Sequence, residues 1–299
     1  MAQIRAMVLR AAGINCDMET EYALQLAGAK AERVHINRII EDKNALDQYH
    51  ILVAPGGFSY GDDVAAGKIL ANQIVHHLFE PIQKFIEDGK LVLGICNGFQ
   101  MLVKAKILPG NDSGTPVRQN EVTITYNDSG KFEDRWVYLA PHTDKCIFIE
   151  PDRQIYLPVA HAEGKVVARD KPTLEKLKSK GFIAFKYVDE NGKENGYPVN
   201  PNGSVDSIAG LTDTTGRVLG LMPHPERYVR LTQHPRWSRL FSIRGTRDPR
   251  SPLVRGQVYP CESRGGDRLA PEKAGGRETR DGDGMTIFKN AVNYIQKNF

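Results

Sequence analysis

Leu91-Val92-Leu93-Gly94-Ile95-Cys96-Asn97-Gly98-Phe99-Gln100 runs from a short apolar segment straight into a cysteine with glycine two positions to either side. Five consecutive apolar or small residues fit a strand buried on both faces, and Phe99 to Lys104 has the spacing of a helix. Glycines on both sides of Cys96 permit a sharp strand-to-helix turn that lifts the cysteine side chain above the sheet. The same turn sets Cys96 at a helix N-terminus, where free N–H groups and the helix dipole favour a thiolate.

Upstream the pattern repeats. Ile4–Leu9, Arg33–Ile36 and Ile51–Ala54 read as strands, Met18–Ala27 as a helix through Met18, Tyr22 and Leu26, and Ile69–Ile86 as one long helix. Apolar strands alternating with amphipathic helices predict a parallel sheet covered on both faces. From Val117 to Tyr187 short alternating strands broken by Gly, Pro, Asn and Asp predict antiparallel hairpins. Parallel strands are expected to resume at Ser207–Leu211 and Val218–Met222, and a closing helix at Met285–Phe299.

Of the 299 residues, 40% are hydrophobic and 25% charged, the balance of a globular chain, and no apolar run reaches the roughly 18 residues of a membrane span. The N-terminal residues read as a first strand rather than a signal peptide. The net charge of +4 is uneven: residues 239–280 hold ten Lys/Arg against five Asp/Glu, and the remainder holds 30 against 31. The main body thus offers no footing for nucleic acid. Residues 241–280, rich in Arg, Gly, Asp and Pro without apolar periodicity, read as a disordered basic insertion in a domain formed by 1–240 and 281–299. Cys16, Cys96, Cys146 and Cys261 lie far apart with no C-x-x-C pair, which points to a reducing, cytoplasmic setting without disulfides. No histidine has partners at metal-ligand spacing, so no metal site is expected. Gly67-Lys68 resembles the end of a P-loop but lacks the required Ser/Thr, so no ATP site is expected either.

A cysteine nucleophile needs a base, and the base an orienter. His224, in Met222-Pro223-His224-Pro225-Glu226-Arg227, follows a predicted strand as Cys96 does. Pro225 favours an extended His224, which would place Glu226 on the same side of the chain. His234-Pro235-Arg236 repeats the His-Pro pair without a carboxylate and reads as surface structure. Pro55-Gly56-Gly57, again past a buried strand, lets the backbone approach a substrate, and its N–H groups with that of Asn97 could hold an oxyanion.

Together these residues resemble the class I, or triad, glutamine amidotransferases. Gly13-Ile14-Asn15-Cys16-Asp17, Pro55-Gly56-Gly57-Phe58-Ser59-Tyr60-Gly61-Asp62, Ala160-His161-Ala162-Glu163-Gly164 and Asn200-Pro201-Asn202-Gly203-Ser204 narrow the likeness to glutaminase subunits of phosphoribosylformylglycinamidine synthases. The resemblance implies a flavodoxin-like α/β doubly wound sheet with an antiparallel subsheet. It implies a Cys96 nucleophile, His224 as acid and base, Glu226 as orienter, Gly57 and Asn97 as oxyanion hole, and Gln100 in substrate binding. It also implies L-glutamine as substrate, a separate large synthetase subunit carrying ATP and Mg2+, and a small bridging subunit; no cofactor is expected on this chain. Two other readings use the same residues: a stand-alone γ-glutamyl hydrolase, and a non-enzymatic redox or stress protein with Cys96 as sensor.

Overall fold

The computed structural model describes residues 3–110, 121–238 and 281–299. The 241–280 insertion reading and Val117 therefore lie outside the described residues.

Five parallel strands come first in space: β1 (Arg5–Arg10), β2 (Lys30–His35), β3 (Ile51–Ala54), β4 (Leu91–Ile95) and, late in the chain, β11 (Val218–Leu221). Their order, β2-β1-β3-β4-β11, is that of the flavodoxin-like fold. Every residue of β3, β4 and β11 is buried, as the continuous apolar runs require of strands covered on both faces. The sheet then continues antiparallel through β10 (Ile208–Thr212), β9 (Ile183–Val188), β6 (Glu133–Pro141) and β7 (Ile155–His161). A separate two-stranded antiparallel sheet pairs β5 (Val122–Tyr126) with β8 (Glu163–Ala168). The expected antiparallel strands are thus of two kinds, most of them extending the main sheet.

Three local expectations need correcting. The strand at Ser207–Leu211 is antiparallel to β11, because residues 213–217 between them are too few for the crossover a parallel pair needs. The long helix Ile69–Ile86 is interrupted: α3 (Lys68–Gln73) runs into a π-turn at Ile74–Leu78 before α4 (Phe79–Glu87) begins. Pro81 explains the break, since it has no N–H to donate and its ring would strike the carbonyl four residues back. Leu70, Ile74, Leu78, Ile82 and Phe85 nevertheless all stay in the core. Finally, Met18, Tyr22 and Leu26 of α1 (Asp17–Leu26) face outward, at 66%, 42% and 37% exposure. Asp17 sets the rotation of that helix by pairing inward with Arg10 at 2.9 Å and Arg33 at 3.5 Å, which leaves Thr20, Ala23 and Leu24 on the buried face.

The closing helix (Met285–Asn298) buries Ile287, Phe288, Ala291, Val292 and Ile295 and packs beside α1.

Between β4 and α5 (Asn97–Lys104), Cys96 adopts φ 50° and ψ −105°, outside the regions open to most L-residues. Its N–H is held by Leu221 O of β11 at 2.8 Å, and its carbonyl accepts Gln100 N–H at 3.0 Å. The turn is tight enough that a Cβ on Gly98 would sit 1.9 Å from Ala54 O. Gly98→Ala is therefore expected to destabilise the protein by about 1–3 kcal/mol through overpacking. Urea denaturation checks this: the midpoint should fall with the slope unchanged, and an unshifted midpoint would mean that the elbow gives way freely.

Candidate active site

Parallel strands end on the same edge of the sheet, so four adjacent strands deliver four loops to one place. β1 leads to Asn15 and Cys16, β3 to Gly56 and Gly57, β4 to Cys96, and β11 to His224. Around them is a cavity of about 230 Å³, also lined by Phe58, Gln100, Phe132, His161, Glu163 and Arg227. That is below the roughly 300–1,000 Å³ of pockets for drug-sized ligands, and it suits a molecule the size of an amino acid.

Cys96, His224 and Glu226 are all buried. His224 Nδ1 lies 2.7 Å from Glu226 Oε1, the orienting contact expected from the sequence. His224 is extended as expected, at φ −104° and ψ 90°, but the chain does not stay extended: Pro225–Arg227 form a 3-10 turn, and it is this turn that brings the carboxylate round to the imidazole. The other ring nitrogen, Nε2, is buried and makes no hydrogen bond, which leaves it available to Cys96. Burial alone would push the His224 imidazole down. The Glu226 carboxylate and the neighbouring Cys96 and Cys16 thiols outweigh it and hold its pKa well above 6.5.

Asn97 joins the nucleophile elbow to the glycine loop. Its Oδ1 accepts Ser59 O–H at 2.6 Å and Ser59 N–H at 3.3 Å, and its Nδ2 donates to Asp62 Oδ1 at 3.0 Å. These contacts fix residues 57–62 against α5 and so set the Gly57 amide relative to the Asn97 amide. Gly57 itself holds φ +135°, where a Cβ would strike Asn15 N at 2.7 Å. Gln100 lines the cavity, but its side-chain amide is engaged at both ends. Oε1 accepts from Asn97 Nδ2 at 3.2 Å and Nε2 donates to Glu163 O.

Several residues here were given no role at the site by the sequence alone. His161, at the end of β7, lines the cavity with its Nδ1 3.1 Å from Asn127 Oδ1. Burial, reinforced by nearby His224, pushes its pKa down to about 3, so it is neutral at any ordinary pH. Asn127 Nδ2 donates to two carbonyls, and its Oδ1 also accepts Gly164 N–H, which leaves Nδ1 as the protonated nitrogen of His161. Cys16, 208 positions from His224, reaches the far side of the same imidazole and accepts from Arg227 Nη2 at 3.2 Å. Arg227 is in turn held by Glu19 at 2.9 Å. The motif Gly13–Asp17 was visible in the sequence, but no local pattern ties it to His224. His234, read as surface, is buried against Trp136, Tyr156 and Tyr228. It packs there because the chain after β11 folds back across the aromatic face of β6 and β7.

Residues 3–295 match the CobB/CobQ-like glutamine amidotransferase domain family. The chain is 47% identical to the phosphoribosylformylglycinamidine synthase subunit PurQ of Dehalococcoides mccartyi over 79% of its own length and 90% of that protein. The chain belongs to the glutamine amidotransferases, in their PurQ branch. The PurQ subunit of Methanococcus maripaludis strain S2 is 38% identical over 98% of both chains. Among solved structures, PurLQS from Thermotoga maritima superposes with a TM-score of 0.62 at 29% identity, covering 98% of this chain and all of that one. No helix among the described residues is long and apolar enough to cross a membrane.

The raised pKa of His224 depends on Glu226, which gives a direct test. In Glu226→Gln burial should prevail, so the imidazole should titrate below 6.5 instead of above it, as read by NMR of the labelled ring. The sign for stability follows from the raised value. The stabilisation from the charged ring is complete below the unfolded-state pKa of about 6.5 and is lost as pH rises through the folded value. That loss at alkaline pH should disappear in Glu226→Gln.

Proposed function

We infer that this chain is the glutaminase subunit of a phosphoribosylformylglycinamidine synthase, releasing ammonia from L-glutamine for a separate ATP-dependent synthetase in purine biosynthesis. The observation that carries the reading is the convergence of Cys96, the His224–Glu226 pair and the Gly57 loop on one amino-acid-sized cavity. Membership of the PurQ branch supports the choice of partner.

The proton of Cys96 passes to His224 Nε2, giving the charged imidazolium that the neighbouring Glu226 favours, and Cys96 Sγ then attacks the side-chain carboxamide carbon of glutamine. The carbonyl oxygen becomes an oxyanion, received by the backbone N–H groups of Gly57 and Asn97. Collapse breaks the C–N bond as His224 returns the proton to the leaving nitrogen, giving ammonia and a glutamyl thioester. Water then attacks the thioester, with His224 as base, and glutamate leaves with Cys96 restored. Glu226 holds the imidazole in orientation and offsets its positive charge. Gln100 braces the cavity wall through Asn97 and Glu163. ATP and Mg2+ act on the synthetase, and a small bridging subunit completes the complex. The reaction is assigned to the cytoplasm, the reducing setting to which cysteines spaced far apart without a C-x-x-C pair point.

Cys96→Ser is expected to abolish glutamine-dependent amination by the assembled complex while leaving ammonia-dependent amination intact. Equal loss of both would overturn the division of labour between the chains. Glu226→Gln should retain more glutaminase activity than Cys96→Ser, because an orienter makes and breaks no bonds. Steady-state glutaminase rates of the two variants, with and without the synthetase, test this. A free subunit that turns over as fast as the complex would favour a stand-alone hydrolase.

A further inference from the structure

Cys16 has no step in the mechanism above, although it lies against the catalytic histidine. Its Sγ, a ring nitrogen of His224 and a carboxylate oxygen of Glu226 all lie within 4.8 Å of one another, and all three residues are buried. Glu226 Oε2 is buried without a hydrogen-bond partner. Gly56 leaves the point of convergence open: a Cβ there would sit 2.8 Å from His224 Cε1 and 3.2 Å from Cys16 Sγ. Thiolate, imidazole and carboxylate form a donor set that suits zinc or cadmium and excludes magnesium or calcium, which prefer oxygen alone.

We propose that Cys16, His224 Nδ1 and Glu226 form a binding site for a thiophilic divalent cation, Zn2+ in the first place, and that its occupancy silences the glutaminase. With Zn–S near 2.3 Å and Zn–N and Zn–O near 2.0–2.2 Å, tetrahedral ligands stand about 3.3–3.7 Å apart. The widest pair has to close by about 1 Å, and Nδ1 and Glu226 Oε1, 2.7 Å apart as a hydrogen-bonded pair, have to open by about 0.6 Å. The cavity that admits substrate is lined by Cys16 and His224, so it provides both the entry path and room for water as a fourth ligand. Arg227 Nη2 stays in place as a donor to the Cys16 sulfur, the kind of outer contact that steadies a metal-bound thiolate. The cation displaces the thiol proton of Cys16 and the Nδ1 proton of His224, and both leave to solvent. The ring, now neutral, keeps its one remaining proton on Nε2: that nitrogen cannot take a proton from Cys96, and it could give its own to the leaving nitrogen of glutamine only by becoming an imidazolate.

This inference rests on the glutaminase reading for its consequence, though not for the binding itself, so the two are tested separately. The full-length chain carrying Cys96→Ser and Cys261→Ser keeps only Cys16 and the buried Cys146. Titrated with Cd2+, it should develop a thiolate-to-metal charge-transfer band in the ultraviolet that saturates at one ion per chain and is displaced by Zn2+. Adding Cys16→Ser should remove the band, and adding Glu226→Gln instead should weaken the affinity at least tenfold, with near-ultraviolet circular dichroism verifying the fold of each. Absence of a saturable band, or a band that survives Cys16→Ser, overturns the site. In the wild-type complex Zn2+ should suppress glutamine-dependent amination and spare the ammonia-dependent reaction. Saturating binding without that suppression overturns the silencing role. A complex with no glutaminase activity even in the absence of metal would instead overturn the functional reading and leave the binding result standing.

Discussion

One backbone residue in an unfavourable conformation organises the site. Cys96 at φ 50° and ψ −105° costs on the order of 1–3 kcal/mol. It persists because its neighbours over-determine it: Leu221 O grips its N–H from β11, helix α5 begins at the next residue, and Gly98 presses against the end of β3. The strain is therefore held by the three parallel strands β3, β4 and β11, the same strands whose ends carry the glycine loop, the cysteine and the histidine. Any shift in register among them would release the strain and separate those three groups at once.

Around that elbow the polar groups are buried, and burial makes their pairing decisive. A low-dielectric setting would neutralise His224, yet the Glu226 carboxylate 2.7 Å away keeps the ring favouring its charged form. His161 lies in the same cavity with an amide for a partner instead of a carboxylate, and it is driven to neutrality. Two histidines of one cavity thus hold different charge states, because His224 has a carboxylate and two thiols beside it while His161 has an amide and the charge of His224, a division that burial alone would not produce. Asn97 does for geometry what Glu226 does for charge, linking the glycine loop to the first turn of α5 through Ser59 and Asp62.

Much of this was legible in the amino-acid sequence. Buried parallel strands announce themselves as unbroken apolar runs, and the glycines around Cys96 and after Ala54 mark turns that only a small residue can make. Those signals are local, and they located β1, β3 and β4, the second half of β2, the elbow, the glycine loop and the His224–Glu226 pair. Pattern reading failed wherever a distant partner set the outcome. The apolar stripe of α1 faces outward because Asp17 is drawn in by Arg10 and Arg33. His234 is buried because the chain folds back over an aromatic face that no nearby residue foretells.

The sequence by itself determined most of the elements, the candidate nucleophile and its likeness to the triad amidotransferases, since each of these depends on residues within a few positions of one another. Only the tertiary structure decided which strand neighbours which, and with that the meeting of Cys16, His161 and Arg227 around His224. The reason is physical: hydrogen-bonding between strands places side by side segments that lie up to two hundred residues apart in the chain. The chemistry of a buried histidine is set by whatever those segments bring within a few ångströms of its ring.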